Sequence, residues 1–228
     1  MKQIIKSIPN LLPLSNLFCG CVAVAYAFWG DFATTFWLVV LASVFDFMDG
    51  MAARLLNAHS PIGADLDSLA DMVSFGVAPS VVLFSLGVGW FGFVVALFSA
   101  LRLAKFNVDD RQTTEFIGLP VPADALFFTS IGYIVYDGSS TYLAVVFSTV
   151  WFLSALAALF SLLMVSEIRM FSLKFKSLRL KDNALRYCFL ALSAVAVALF
   201  GIKAVPFAIV GYIALSMTRN LVSSTKLA

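Results

Sequence analysis

FDFMDGMAARLLNAHSPIGADLDSLADMVSFGVAPS, residues Phe45–Ser80, is the stretch on which the reading of this chain turns. Asp46 and Asp49 stand three positions apart, and Asp67 and Asp71 stand four apart. Either spacing puts both members of a pair on one helical face. The loop between the pairs is short and polar, so their two helices are expected to be antiparallel neighbours. The four carboxylates then converge near one end of that hairpin.

Outward from the acids the sequence is apolar. Hydrophobic residues make up 61% of the 228-residue chain and charged residues 12%, with a mean hydropathy of +0.97. A soluble domain carries about twice that share of charge. These values imply an all-α polytopic membrane bundle, divided at roughly 20 residues per crossing. Eight apolar runs are expected as helices: Leu11–Trp29, Ala33–Leu55, Gly63–Leu86, Phe91–Phe106, Val121–Tyr136, Leu143–Val165, Ala184–Phe200 and Ala204–Met217. Glycine, proline or charge marks each break. No separate soluble domain, repeat or cleavable leader is expected. Cys19, Cys21 and Cys188 sit in apolar surroundings and read as small buried hydrophobes.

Charge placement sets the expected orientation. With the amino terminus in the cytosol and eight crossings, fourteen Lys and Arg residues face the cytosol and only Lys203 faces away. That asymmetry follows the positive-inside rule. It places both termini in the cytosol and the acidic hairpin end at the cytosolic rim. The chain then reads as a single membrane domain over residues 1–228, with core helices in 1–166 and a C-terminal helix pair in 184–220. Between them, a basic segment (167–183) includes Arg169, Phe171, Lys174, Phe175, Lys176 and Arg179. Its pattern suits either an amphipathic stretch on the anionic inner leaflet or positive charge that only fixes topology.

Carboxylates within membrane helices are costly, roughly 2.5–3.5 kcal/mol for each Asp at a helix centre. Arg54 is the only base close to the four acids in sequence. Bound divalent cations would balance them, and oxygen-only ligands favour hard ions such as Mg²⁺ or Mn²⁺. Carboxylates on two helices suit two such ions, the arrangement used for in-line phosphoryl displacement. Solvated or protonated carboxylates at the interface are the bland alternative. Gly50, Ala53 and Gly63 share the acidic faces, where small residues either let helices pack closely or leave room for a flat ligand.

The pattern Asp46-x2-Asp49-Gly50-x2-Ala53-Arg54-x8-Gly63-x3-Asp67-x3-Asp71 resembles the signature of the CDP-alcohol phosphotransferase family at every fixed position. Members of that family are polytopic, use a divalent metal pair and displace CMP from a CDP-linked lipid or alcohol. The resemblance implies Asp46, Asp49, Asp67 and Asp71 as ligands of two Mg²⁺ or Mn²⁺ ions, with Asp71 also the general base. It places Gly50, Ala53, Arg54 and Gly63 at the CDP group, and it implies a homodimer.

Further stretches are similar to the bacterial and archaeal branch that joins CDP-diacylglycerol to L-serine. They are Ile8–Gly20, Leu66–Ser80, Leu101–Val108, Phe116–Ala123 and Leu163–Lys174. Glu167 departs from the neutral polar residue expected there. The implied reaction is transfer of the phosphatidyl group to serine with release of CMP, at a cytosol-facing site in the cytoplasmic membrane. The partners are then CDP-diacylglycerol, L-serine and membrane lipid, with no nucleic acid.

Individual residues keep two readings. Asn16, an amide in the first apolar run, suits a nucleotide or phosphate contact or an interhelical hydrogen bond. Arg102 and Asn107, at the cytosolic end of the fourth helix, suit an acceptor carboxylate, with Arg102 its natural cation; snorkelling is the other reading. Arg111 serves the acceptor or the leaflet. Ser74 suits packing or a nucleotide hydroxyl, and His59 reads as solvated. Another acceptor, glycerol 3-phosphate or an inositol phosphate, would use the same chemistry but want a denser basic pocket. A cation transporter is the rival of another class. Transporters hold such acids near the midplane, often on broken helices in repeated halves, whereas these are shallow and unrepeated.

Overall fold

The computed structural model of the protein describes residues 2–55, 61–109, 116–138, 141–171 and 180–225. His59, Arg111 and the basic residues of 172–179 lie outside the described residues, as do the side chains of Ala53 and Arg54.

The chain is a helical membrane bundle. Helix α1 (Lys2–Phe28) starts earlier than its apolar run and continues through Pro9 and Pro13. Helix α2 (Phe32–Leu55) follows after a tight turn. Asp31 caps it, accepting from the Thr34 backbone N–H at 3.0 Å and from the Thr34 hydroxyl at 2.7 Å. The expected third helix is one rod with internal changes of pitch. It comprises α3 (Pro61–Asp71), a π-helical turn (Met72–Val77), α4 (Ala78–Leu83) and a second π turn (Phe84–Val88). The chain reverses at Gly87–Gly89 and runs back through a 3₁₀ turn (Gly89–Phe93) into α5 (Val94–Val108).

Helix α6 (Val121–Asp137) lies where expected. The next run is broken into α7 (Thr141–Phe147) and α8 (Val150–Val165), with Thr149 extended at the join. After α9 (Leu180–Phe200), a 3₁₀ turn (Gly201–Ala204) leads into α10 (Val205–Thr225).

Two short strands were not foreseen in an all-α reading. β1 (Phe116–Ile117) pairs antiparallel with β2 (Arg169–Met170), Phe116 opposite Met170. Gly118 ends β1 with φ of +78°, and a Cβ there would overlap the Met164 carbonyl oxygen, so only glycine lets the loop lie against the end of α8. Met170 and Phe171 are fully buried. This corrects the expectation of a leaflet-lying segment at Phe171: strand pairing draws that part of the chain into the bundle.

The core is built around α6. Phe127 stacks on Phe160 of α8 at 4.0 Å, and Phe128 meets the same ring edge-on at 5.4 Å. Of the cysteines, Cys19 is buried, while Cys21 and Cys188 are exposed, on a surface that suits lipid as well as an interior would. Trp29, Trp90 and Trp151 project at the end of the bundle away from the acids, as an aromatic belt does at one membrane interface. Lys203, at that end, is paired with Asp137 at 2.9 Å.

Candidate active site

Gly20 controls how the site is assembled. On α1 it faces Ser74 so closely that a Cβ would overlap the serine side chain and lie 2.9 Å from the Ser74 Cα and N. Only a bare backbone lets α1 and the first π turn meet this way. The Ser74 hydroxyl donates to the Asn16 carbonyl oxygen at 3.0 Å, fixing the register. One turn toward the amino-terminal end of α1, the Asn16 side chain donates through Nδ2 to Asp71 Oδ1 at 3.0 Å. The interhelical bond, one of the two readings of Asn16, is present, and its partner is the expected base. Ser74 resolves as packing plus that backbone contact.

Asp46 and Asp49 on α2 meet Asp67 on α3: each offers a carboxylate oxygen, and the three oxygens lie within 4.8 Å of one another. Asp71 lies beside this trio and acts electrostatically on it. Asp49 and Asp71 are each only 8% exposed. Asp49 Oδ2 and Asp67 Oδ1 are buried with no hydrogen-bond partner. Inside a membrane bundle such oxygens demand compensation, and hard oxygen donors from three carboxylates fit a divalent cation. The cluster fits the expected metal chemistry on these grounds.

Gly50 and Gly63 are half-buried beside the acids, on α2 and on the first turn of α3. Arg102, on α5, is 6% exposed, and its Nε has no hydrogen-bond partner. Asp71 and Tyr212 of α10 are the groups that act on its charge, and the Phe106 ring lies 5.7 Å from its guanidinium carbon. An arginine so enclosed is not snorkelling. Asn107 is exposed, and its amide donates to Ser68 Oγ on α3 at 2.9 Å, bridging the two helices at the rim. Lys105 forms an ion pair with Glu167 at 2.5 Å, which gives the departing Glu167 a structural partner. Sequence reasoning missed Gly20 and Tyr212. A glycine opposite a serine leaves no polar signal, and a tyrosine in an apolar span reads as lipid-facing.

Comparison with known proteins agrees with this geometry. The profile of the CDP-alcohol phosphatidyltransferase family matches residues 6–154, which include every acid of the cluster, Asn16 and Arg102. The chain belongs to that family. It is 40% identical over 127 residues to a CDP-diacylglycerol–serine O-phosphatidyltransferase of Helicobacter pylori, covering 52% of this chain and 54% of that one. To the proteins of that name from Bacillus subtilis and Methanocaldococcus jannaschii it is 36% identical over 122 residues and 33% over 169 residues. The matched part spans about half the length of the Helicobacter relative, 69% of the Bacillus one and 74% of the Methanocaldococcus one, against 50% and 72% of this chain.

Proposed function

We propose that the protein transfers the phosphatidyl group of CDP-diacylglycerol to the hydroxyl of L-serine, forming phosphatidylserine and releasing CMP. The observation that carries this reading is the juxtaposition of an Asn16-held Asp71, the three-carboxylate cluster and the enclosed Arg102. The names of the three relatives point to the same acceptor.

Asp46, Asp49, Asp67 and Asp71 would hold two Mg²⁺ or Mn²⁺ ions, which supply charge stabilisation for the phosphate oxygens when bound. Asn16 occupies Asp71 Oδ1, which orients the carboxylate and leaves Oδ2 to take a proton. Asp71 removes the proton from the serine hydroxyl as its oxygen forms a bond to the phosphorus that carries diacylglycerol. The bond from that phosphorus to the CMP oxygen breaks, and CMP departs with the electron pair. Arg102 receives the serine carboxylate with its planar fork, at a depth where water competes little. Gly50, Ala53, Arg54 and Gly63 form the CDP side of the site, and Asn107 and Arg111 the outer acceptor side.

The reading extends to topology. Eight crossings with both termini in the cytosol put fourteen basic residues on the cytosolic side. The single exception, Lys203, has its charge matched by Asp137. The acids then open toward water-soluble serine and CMP at the inner face of the cytoplasmic membrane, and a homodimer is the assembly expected of the family. Purified protein given CDP-diacylglycerol and Mg²⁺ should release CMP when L-serine is added. Release with glycerol 3-phosphate or an inositol phosphate instead would replace serine as the acceptor. No acceptor-dependent release at all would remove the enzyme reading.

A further inference from the structure

Helices α9 and α10 form an antiparallel pair joined by the tight turn at Gly201–Ala204. One face of α10 enters the bundle: Ile209, Tyr212, Ile213 and Ser216 are buried, and Tyr212 donates to the Phe171 carbonyl oxygen at 2.9 Å. Between the other face of α10, α9 and Leu143 of α7 runs an open groove of about 960 Å³. Its walls are small in the middle, with Ser193 and Ala196 on α9 and Ala208 and Gly211 on α10. A Cβ added at Gly211 would meet nothing within 4 Å, so this glycine serves no close contact among the described residues. Glycine weakens a helix interior, and what it provides here is width in the groove. Asn220 donates to the Arg169 carbonyl oxygen at 2.7 Å, Glu167 pairs with Lys105, and Asn107 reaches Ser68 of α3, so the carboxyl-terminal end of α10 lies at the end of the bundle that carries the acids.

Left empty, a groove of this size would forfeit contacts along its whole lining. From Ala204 to Thr218 it runs about 21 Å, most of the roughly 30 Å hydrocarbon core. A helix of that length, about 10 Å across, takes up roughly 1,600 Å³, more than the groove holds. Acyl chains are thin enough to enter it. The two mouths differ in charge. Away from the acids, Lys203 is the one charged group among the described residues that line the groove, and Asp137 pairs with it at 2.9 Å. At the acid end, Arg186 stands one turn before Phe189 and Arg219 one turn beyond Leu215, both lining residues, so helical periodicity brings the two arginines to that mouth. Arg186 donates through Nη1 to Asn183 Oδ1, which holds its guanidinium at the start of α9. Arg219 is exposed beside Thr218, whose side chain is part of the wall.

We propose that the α9–α10 groove binds an anionic phospholipid, with its phosphate-bearing head at Arg186 and Arg219 and its acyl chains running past Gly211 toward Lys203. The lipid comes from the leaflet on the acid side, the inner one in the topology proposed above. It is not the reacting substrate: α7, α9 and α10 line the groove, and none of them bears an acid of the cluster. Phe189 connects the groove to the bundle, since its ring packs against Phe171 at 5.8 Å and against Tyr212 at 6.0 Å between centroids. A lipid seated there buttresses the wall that Tyr212 and Asn220 tie to Arg169–Phe171.

The test is lipid binding to the delipidated full chain in neutral detergent, read by native mass spectrometry and by melting temperature. The probes are phosphatidylglycerol and phosphatidylcholine with identical acyl chains. Two arginines at the mouth should favour phosphatidylglycerol about tenfold, and its binding should raise the melting temperature. Gly211→Leu fills the groove where the chain leaves open space, and should weaken binding of both lipids about tenfold. The double variant Arg186→Gln/Arg219→Gln should abolish the preference while phosphatidylcholine binding stays as it was. Lys203→Gln, at the other mouth, should leave the preference intact. Equal binding of the two lipids by the wild type, unchanged binding in Gly211→Leu, or a preference lost in Lys203→Gln but kept in the arginine variant would each overturn the proposal. So would a dimer that Gly211→Leu splits, which would assign the groove to a second copy of the chain. None of these readouts uses turnover, so a protein that takes another acceptor defeats the serine reading and leaves this one standing.

Discussion

A single methyl group at Gly20, one helical turn along α1 from the Asn16 that holds Asp71, should cripple turnover. In Gly20→Ala the new Cβ would overlap the Ser74 side chain and sit 2.9 Å from its backbone Cα and N. Relaxed carbon contacts lie near ~3.5 Å, so α1 and the π turn must part by about 0.6 Å. Two effects on stability oppose each other. Alanine gains about 1 kcal/mol of helix propensity over glycine, and overpacking costs about 1–3 kcal/mol. The protein should therefore still fold. Passed one turn along the helices, the same shift stretches the Asn16–Asp71 hydrogen bond from 3.0 Å to beyond the ~3.2 Å limit of a good N–H···O bond. A hydrogen bond to a charged group contributes roughly 1.5–3 kcal/mol, so kcat should fall by about ten- to a hundredfold. The assay is CMP release from CDP-diacylglycerol in mixed micelles, with the melting temperature measured alongside. Asn16→Ala should show a similar loss, and the double variant Asn16→Ala/Gly20→Ala should be no worse than Asn16→Ala alone. A folded Gly20→Ala protein with kcat within about twofold of wild type would refute the argument, as would full additivity in the double variant.

Chelation by EDTA should abolish turnover, and Mg²⁺ or Mn²⁺ should restore it; undiminished turnover in metal-free enzyme would rule out the cluster as a metal site. Asp71→Asn keeps the Asn16 register but loses the proton acceptor, so kcat should drop by roughly 10²–10⁴-fold with CDP-diacylglycerol binding partly retained. Near wild-type kcat there would mean another base. Arg102→Lys keeps the charge and loses the planar fork, so it should raise the serine KM more than the CDP-diacylglycerol KM. By contrast, Lys105→Ala breaks an exposed pair and should cost at most about 1 kcal/mol of stability, read as a small shift in melting temperature.

Much of the site was legible because charge in a membrane is conspicuous. Asp46, Asp49 and Asp67 stood out against apolar helices, the spacing of three put Asp46 and Asp49 on one face, and the structure brings Asp67 to them. Asp71 was grouped with them, but its hydrogen bond to a distant helix was not visible, since Asn16 lies 55 residues away and had two open readings. Arg102 stood out for the same reason as the acids, as a cation inside an apolar run. The pitch changes after Asp71 were not legible, because π turns and α-helix share one hydrophobic pattern. Nor was the β1–β2 pair: two-residue strands carry no periodicity, and their partners are 53 residues apart by register (Phe116 with Met170, Ile117 with Arg169, on average). The burial of Phe171 followed from that pairing, which is why a segment with an interfacial composition sits partly inside the bundle.

The central claim is that this acidic cluster joins serine to a phosphatidyl group. Isotope-labelled L-serine, CDP-diacylglycerol and Mg²⁺ should be incubated with purified wild-type protein and with Asp67→Ala, and the lipid product identified by mass spectrometry. The account predicts labelled phosphatidylserine and an equal amount of CMP from the wild type, and neither from Asp67→Ala. Labelled phosphatidylserine from Asp67→Ala at the wild-type rate, or wild-type CMP release with no label in lipid, would contradict it.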